Sequence, residues 1–102
     1  MKIPKTLKIA GRNIKVIIDG KTAKKDWVNG KCYADRDEIL LDDYKTEGIS
    51  KGCMEQTFIH EVLHKCNNLL SKDNSEVNTE EYVNPLAELL YQVFQQIENG
   101  NR

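Results

Sequence analysis

The spacing of the apolar residues changes once along the chain, near residue 50, and this change constrains the fold more than any other feature. Before residue 50, apolar and polar residues alternate at Leu7 to Ile9 and at Ile14 to Ile18, which is typical of half-buried strands. After it, apolar residues recur every three or four positions, which is typical of amphipathic helices. With 102 residues, the chain has the length of one domain. We therefore expect a single α+β domain, in which two helices pack on one face of a small N-terminal antiparallel sheet.

Turn signals divide the N-terminal half into short strands between about residues 5 and 42. A short turn within Ala10 to Asn13 predicts a first hairpin. Asn29-Gly30 is a strong signal for a type I′ turn and predicts a second hairpin, between Trp27-Val28 and Cys32-Tyr33. Trp27 is assigned to the core. The lysines that follow Gly20 are assigned to a solvated loop.

Two long helices are predicted in the C-terminal half. The first covers about residues 51–70 and has Ser50 as its N-cap. The second covers about residues 79–98 and is ended by Asn99-Gly100. Pro85 lies in the first two turns of this second helix, where it is tolerated if the helix begins late and introduces a kink otherwise.

The sequence His60-Glu61-Val62-Leu63-His64, inside the first helix, carries the clearest chemical signal. Residues i and i+4 of a helix lie on the same face, so both imidazoles can bind one Zn²⁺. Zinc lowers the pKa of a bound water to about 7, and the Glu61 carboxylate can accept a proton from that water. The alternative is that His60 and His64 are ordinary solvated histidines. Their position, away from the apolar face of the helix, argues against a packed pair in the core.

A catalytic zinc keeps three protein ligands and one open position, and the chain has no third histidine. The cysteines are poorly placed as the third ligand. Cys66 points toward the apolar face, and Cys53 lies two turns from His60 along the helix. Cys32 remains open as a ligand. Buried cysteines act more often as small apolar residues.

A carboxylate at the start of the second helix is the better candidate for the third ligand. Glu80 lies at the edge of the expected interface between the two helices, whereas Glu81 lies on the solvent side. We therefore favour Glu80, with Glu81 and Glu76 as alternatives. It is also possible for these carboxylates to have no role beyond a favourable interaction with the helix dipole.

These two helical motifs together resemble the zincin metallopeptidases that use a glutamate as the third ligand. The second helix opens Thr79-Glu80-Glu81-Tyr82-Val83-Asn84. The layout of the chain is similar to compact zincin-like proteins of phages and prophages. It is more distantly similar to the ImmA/IrrE-type peptidases, whose extended motif is matched only in part.

The resemblance implies one zinc ion per chain, held by His60, His64 and Glu80, with Glu61 as general base. In gluzincins with an E-x-x-x-D helix, the final aspartate supports a histidine ligand through a hydrogen bond. Asn84 occupies that place in this chain. An amide can accept a hydrogen bond from the imidazole ring but does not raise its basicity as a carboxylate does.

The function implied is hydrolysis of peptide bonds in a peptide or protein substrate. Zincins bind an extended peptide along an edge strand, for which Glu38 to Asp42 is the candidate unless it is an inner strand. The hydroxyl that stabilises the oxyanion could come from Tyr44, Tyr82 or Tyr91. The competing functions are a catalytically inactive zincin-like protein that binds zinc and a partner, and an interaction module without metal.

Composition excludes several other classes of protein. Fifteen Lys and Arg against sixteen Asp and Glu leave a net charge of −1, so no basic field favours nucleic acid. The apolar runs are too short to cross a membrane. Three cysteines without a secretory signal favour free thiols in the cytoplasm, which would be the host cytoplasm if a phage encodes the chain. The sequence leaves the oligomeric state open.

Overall fold

Four strands and three helices follow one another in the computed structural model, which describes residues 1–45 and 49–100. The strands are β1 (Thr6–Ile9), β2 (Arg12–Ile18), β3 (Gly30–Cys32) and β4 (Glu38–Leu41). The helices are α1 (Gly20–Lys25), α2 (Lys51–Leu69) and α3 (Glu80–Glu98), and a 3-10 turn at Glu76–Asn78 precedes α3. This order confirms the α+β class that the change of apolar spacing predicts.

The sheet is mixed, with the strand order β1-β2-β4-β3, so the expected all-antiparallel sheet is wrong. β1 and β2 form the predicted hairpin, and both turn residues, Ala10 (φ 51°) and Gly11 (φ 76°), adopt the positive φ of a type I′ turn. β2 and β4 are parallel, with Val16 opposite Ile39. The connection between them contains α1 and β3, and such a crossover returns the chain in its original direction.

The second predicted hairpin does not form. Asn29 and Gly30 enter the ladder with β4, where the Asn29 carbonyl accepts a hydrogen bond from the Asp42 N–H at 2.8 Å. The preceding residues form α1, whose N-cap Asp19 accepts from the Thr22 N–H, so the expected lysine-bearing loop is also wrong. Trp27 follows this helix with φ 58° and is 94% exposed, which corrects its assignment to the core.

The main core lies between the sheet and α2. Alternate residues of β2 and β4 point toward α2 and are almost fully buried there. The buried cluster comprises Ile14, Val16, Ile39, Leu41 and Phe58. Helix α1 contacts β4, and Leu40 and Ala23 are buried as well. The core therefore fixes how α2 lies across the sheet.

The long helices begin and end close to the expected residues because their caps are local. The Ser50 hydroxyl accepts from the Cys53 N–H at 3.0 Å, and Gly100 adopts φ 61° just after α3. Helix α3 includes Pro85 and packs along α2, with Val83 and Ala87 buried. In the described part of the chain, no helix is both long enough and apolar enough to cross a membrane.

Candidate metal centre

The two histidines lie one turn apart on α2, and their rings meet edge to face. The ring centroids are 4.8 Å apart, and the Nε2 atoms of His60 and His64 are 3.1 Å apart. Their side chains are only about 15% exposed. The helical spacing of the motif thus places two imidazole nitrogens side by side, as the sequence predicts.

Glu80 closes the open side of this pair. Its Oε2 lies 2.9 Å from the Nε2 of His60, and its Oε1 lies 2.7 Å from the Nε2 of His64. The 3-10 turn before α3 brings the first residue of that helix to the level of the imidazoles. The alternatives Glu81 and Glu76 make no such contact within the described residues. The structure therefore brings Glu80, and not its neighbours, to the histidines.

Asn78 orients His64 and was not found from the sequence. Its Oδ1 lies 2.7 Å from the Nδ1 of His64, and it also accepts a hydrogen bond from the Asn67 side chain. The Nδ2 of Asn78 in turn donates to the Asp73 carbonyl at 3.0 Å. Since an amide oxygen only accepts, Nδ1 of His64 carries the proton, and the lone pair of Nε2 points toward His60 and Glu80.

Asn84, which was named on the family resemblance, does contact the other histidine. A side-chain hydrogen bond links His60 to Asn84 and favours the protonated imidazole, as an amide oxygen that accepts from the ring does. Burial lowers the pKa of His60, and the neighbouring Glu80 carboxylate opposes this shift. A neutral imidazole is the form that binds a metal ion, so the environment of His60 favours ligation.

The donor atoms fit a metal ion. The ligand atoms of His60, Glu61 and His64 all lie within 4.8 Å of one another, and this group could hold a metal ion. Two nitrogens that bind one tetrahedral zinc at 2.0–2.1 Å are about 3.3 Å apart, close to the 3.1 Å between the Nε2 atoms of His60 and His64. The 2.7 Å between the Nε2 of His64 and a Glu80 oxygen is a distance that either a proton or a metal cation can bridge.

Glu61 lies beneath the edge of the sheet and is 7% exposed. Burial, aided by the negative charge of Glu80 and opposed by His64, raises the pKa of Glu61 to about 7. A carboxylate with a pKa near neutrality is well suited to accept and return a proton. The backbone of Gly30 makes this burial possible, because a Cβ at that position would lie 3.2 Å from the Cγ and Oε2 of Glu61.

The strand beside the site is β3, which corrects the expectation for Glu38 to Asp42. That segment forms β4, an inner strand between β2 and β3. Within the described residues, β3 pairs only with β4 and its other side is open. Asn29 and Tyr33 hydrogen-bond to β4, so by alternation the main-chain groups of Gly30 and Cys32 face the open edge.

Two clefts of about 490 and 430 Å³ flank the imidazoles. Both are lined by Gly30, His60 and Glu61. Cys53 lines the larger cleft and Cys32 the smaller one. Burial raises the pKa of Cys32 to about 11, and Cys32 is not part of the His60, Glu61 and His64 group that could hold a metal ion among the described residues.

No tyrosine lines either of these clefts. The hydroxyl of Tyr91 donates to Glu55 at 2.7 Å, and Tyr82 is exposed on α3. Tyr44 lies in the turn that follows β4. The prediction of a tyrosine as oxyanion donor therefore gains no support from the lining of the clefts.

Lys65, the residue directly after His64, fixes the turn between β3 and β4. Its side chain is buried, and its Nζ donates to the carbonyl oxygens of Tyr33 at 2.6 Å and Arg36 at 2.8 Å. Helix α2 thus carries the histidines and also holds the neighbouring edge strand. The sequence shows a lysine at this position, and nothing in its spacing indicates that the side chain is buried against the turn.

Comparison of the chain with models of protein families, with curated proteins and with solved structures found no match. The function is therefore inferred from the site itself. The site combines two imidazoles, a carboxylate at their open side and a second, buried carboxylate whose pKa lies near neutrality.

Proposed function

We propose that the protein is a zinc-dependent metallopeptidase, in which His60, His64 and Glu80 hold one zinc ion and Glu61 is the general base. The observation that supports this most strongly is the approach of both Glu80 oxygens to the two Nε2 atoms. Two histidines and one glutamate are an established donor set for catalytic zinc, and they leave a fourth position open. The fold would then be a minimal zincin-like domain.

Each residue of the site has a distinct task in this proposal. A bound zinc ion supplies a Lewis acid and lowers the pKa of water. Glu61 accepts a proton from the attacking water and returns it to the amine that leaves, which its pKa of about 7 permits at neutral pH. Asn78 holds the imidazole of His64 in the orientation that keeps its Nε2 available, and Asn84 supports His60 through a side-chain hydrogen bond.

The substrate is a peptide or protein segment in extended conformation. The main-chain groups of Gly30 and Cys32 at the open edge of β3 can pair with such a segment as an added strand. The two clefts on either side of Glu61 then receive its side chains. We place this activity in the cytoplasm, because the three cysteines are free.

Zinc analysis of purified variants tests the ligand set. We expect about one zinc ion per chain in the wild type and its loss in His60→Ala and Glu80→Ala. Glu81→Ala is the matched control, since Glu81 lies beside Glu80 but makes no described contact with the imidazoles, and it should keep its zinc. A wild-type chain without zinc, or loss of zinc in Glu81→Ala but not in Glu80→Ala, would contradict the proposed set.

Glu61→Gln separates catalysis from metal binding. This variant should keep its zinc and lose hydrolysis of a denatured protein or a mixed peptide library. Hydrolysis that survives in Glu61→Gln would remove the general base from the proposal. Zinc binding without any hydrolysis in the wild type would instead favour the second candidate, a zinc-binding module that recognises a partner without cleaving it.

A further inference from the structure

One side of α3 presents a row of apolar side chains to solvent. At about 100° per residue, six of them fall within an arc of about 100°. We call them the α3 stripe, and they are Tyr82, Leu86, Leu89, Leu90, Val93 and Ile97. The four most exposed members are 46–68% exposed, and Leu86 and Leu90 are partly buried. The side of α3 that packs on α2, at Val83 and Ala87, lies about 90° from the centre of the stripe.

The spacing of the α3 stripe is symmetric about its centre, the point between Leu89 and Leu90. Leu86 and Val93 lie equally far from this point in opposite directions, and the same holds for Tyr82 and Ile97. Two such helices placed antiparallel bring every stripe residue level with a stripe residue of the other helix. We propose that the α3 stripe is the interface of a symmetric, antiparallel homodimer.

The charges around the stripe agree with a second copy as the occupant. Helix α3 contains no Lys or Arg, and its central glutamate, Glu88, points well away from the stripe. The neighbouring exposed positions on the solvent side are the neutral Gln92 and Gln96. In this arrangement Glu81 comes level with Glu98 of the other copy, so two negative charges meet. The Met1 amino group, 2.7 Å from Glu98, offsets one of these charges. Because α3 carries acidic side chains and no basic ones, an anionic membrane surface is a less favourable partner for the stripe than a second copy.

The area available indicates a weak dimer. Each of the four most exposed side chains leaves on the order of 100 Å² of its surface in water. Two stripes in contact, with four such side chains each, would therefore bury about 800 Å² in total. The glutamines at the border bring the total near the ~1,000 Å² at which specific interfaces begin. Glu80 and Asn84 lie more than about 120° from the centre of the stripe, so dimerisation leaves the candidate metal centre open. The inference is independent of the proposed zinc chemistry.

Sedimentation equilibrium over about 5–500 µM protein tests the dimer. We expect a monomer–dimer equilibrium in the wild type and at least a ~100-fold weaker association in Leu89→Lys, which places two ammonium groups at the two-fold axis. Glu88→Lys is the control, because it introduces the same ammonium group one residue away on a different face, and it should dimerise as the wild type does. Circular dichroism establishes that both variants keep their helices.

A charge pair tests the antiparallel arrangement. Tyr82→Glu and Ile97→Lys should each weaken the dimer, and the double variant should regain about tenfold in affinity, because opposite charges meet across the interface. A wild type that stays monomeric, a dimer unchanged by Leu89→Lys, or equal disruption by Glu88→Lys would overturn the proposal. A double variant no better than the sum of its parts would overturn the antiparallel pairing.

Discussion

At Gly30 the edge strand lies close against α2, and Gly30→Ala measures that approach. A Cβ at this position would lie 2.5 Å from the Cγ2 of Thr57, whereas carbon atoms normally remain 3.5–4.0 Å apart. The strand or the Thr57 side chain must therefore move by about 1 Å. Such overpacking costs about 1–3 kcal/mol of stability.

The backbone of Gly30 does not add to this cost. Its φ is not positive, so alanine can adopt the same conformation. Replacing glycine at such a position reduces the freedom of the unfolded chain and contributes roughly 0.4–1 kcal/mol of stability. The net expectation for Gly30→Ala is a loss of about 0–2.5 kcal/mol, measured by urea unfolding of the metal-free protein.

Thr57→Ser provides the decisive comparison, because it removes only the methyl group that the new Cβ would meet. In this background Gly30→Ala should lose most of its cost, so the two substitutions should couple by about 1 kcal/mol or more in a double-mutant cycle. Gly52→Ala is the matched control. Its Cβ would lie 3.4 Å from the Tyr91 hydroxyl, an ordinary contact, and should not couple to Thr57→Ser.

A stabilising Gly30→Ala would refute the close packing of β3 against α2. The same conclusion would follow if Thr57→Ser failed to relieve the cost. The burial of Glu61 would then need another explanation, because a Cβ at Gly30 would also lie 3.2 Å from the Oε2 of Glu61.

Two further predictions concern the charge and the support of the site. Burial raises the pKa of Glu61 from 4.5 to about 7, so the metal-free protein should lose up to ~3 kcal/mol of stability as pH rises from about 4.5 to about 7. Urea unfolding should show this loss in the wild type and not in Glu61→Gln, and parallel curves would contradict it. Asn78→Ala should weaken zinc binding about 10–100-fold in competition with a chelator, because it frees the ring of His64. Asn78→Asp should bind at least as tightly as the wild type, the exposed Asn74→Ala should have no effect, and unchanged affinity in Asn78→Ala would show that the hydrogen bond is dispensable.

The elements that could be predicted from the sequence are those set by local interactions. Helices α2 and α3 follow from long apolar periodicity, and their ends follow from Ser50 and Gly100, which act within one turn. The parallel pairing of β2 with β4 could not be predicted in this way. It depends on the path of the chain through α1 and β3, and no residue in β2 specifies its partner.

Gly30 shows why a correct signal can be misread. Asn29-Gly30 is typical of a tight turn, and the sequence does not distinguish that use of glycine from a close approach between backbone and helix. Only the position of Thr57 and Glu61 on α2, more than 25 residues later, makes the second use necessary.

In the candidate site, too, the residues set by local helical spacing could be predicted and the residue in an irregular turn could not. His60, Glu61 and His64 lie within five consecutive residues of one helix, and Glu80 could be favoured from its place on the next helix. Asn78 reaches His64 from an irregular turn, where no periodic pattern indicates the direction of a side chain. Its contribution therefore required the structure.

The contact made by Lys65 has a consequence for sequence variation. Its ammonium group binds the main-chain carbonyls of Tyr33 and Arg36, and every residue type offers such a carbonyl. Substitution of the side chains at Tyr33 or Arg36 therefore leaves this contact with α2 in place. The side chains beside the open strand can vary, and with them the segment that we propose binds there, while Lys65 continues to hold the main chain of the turn.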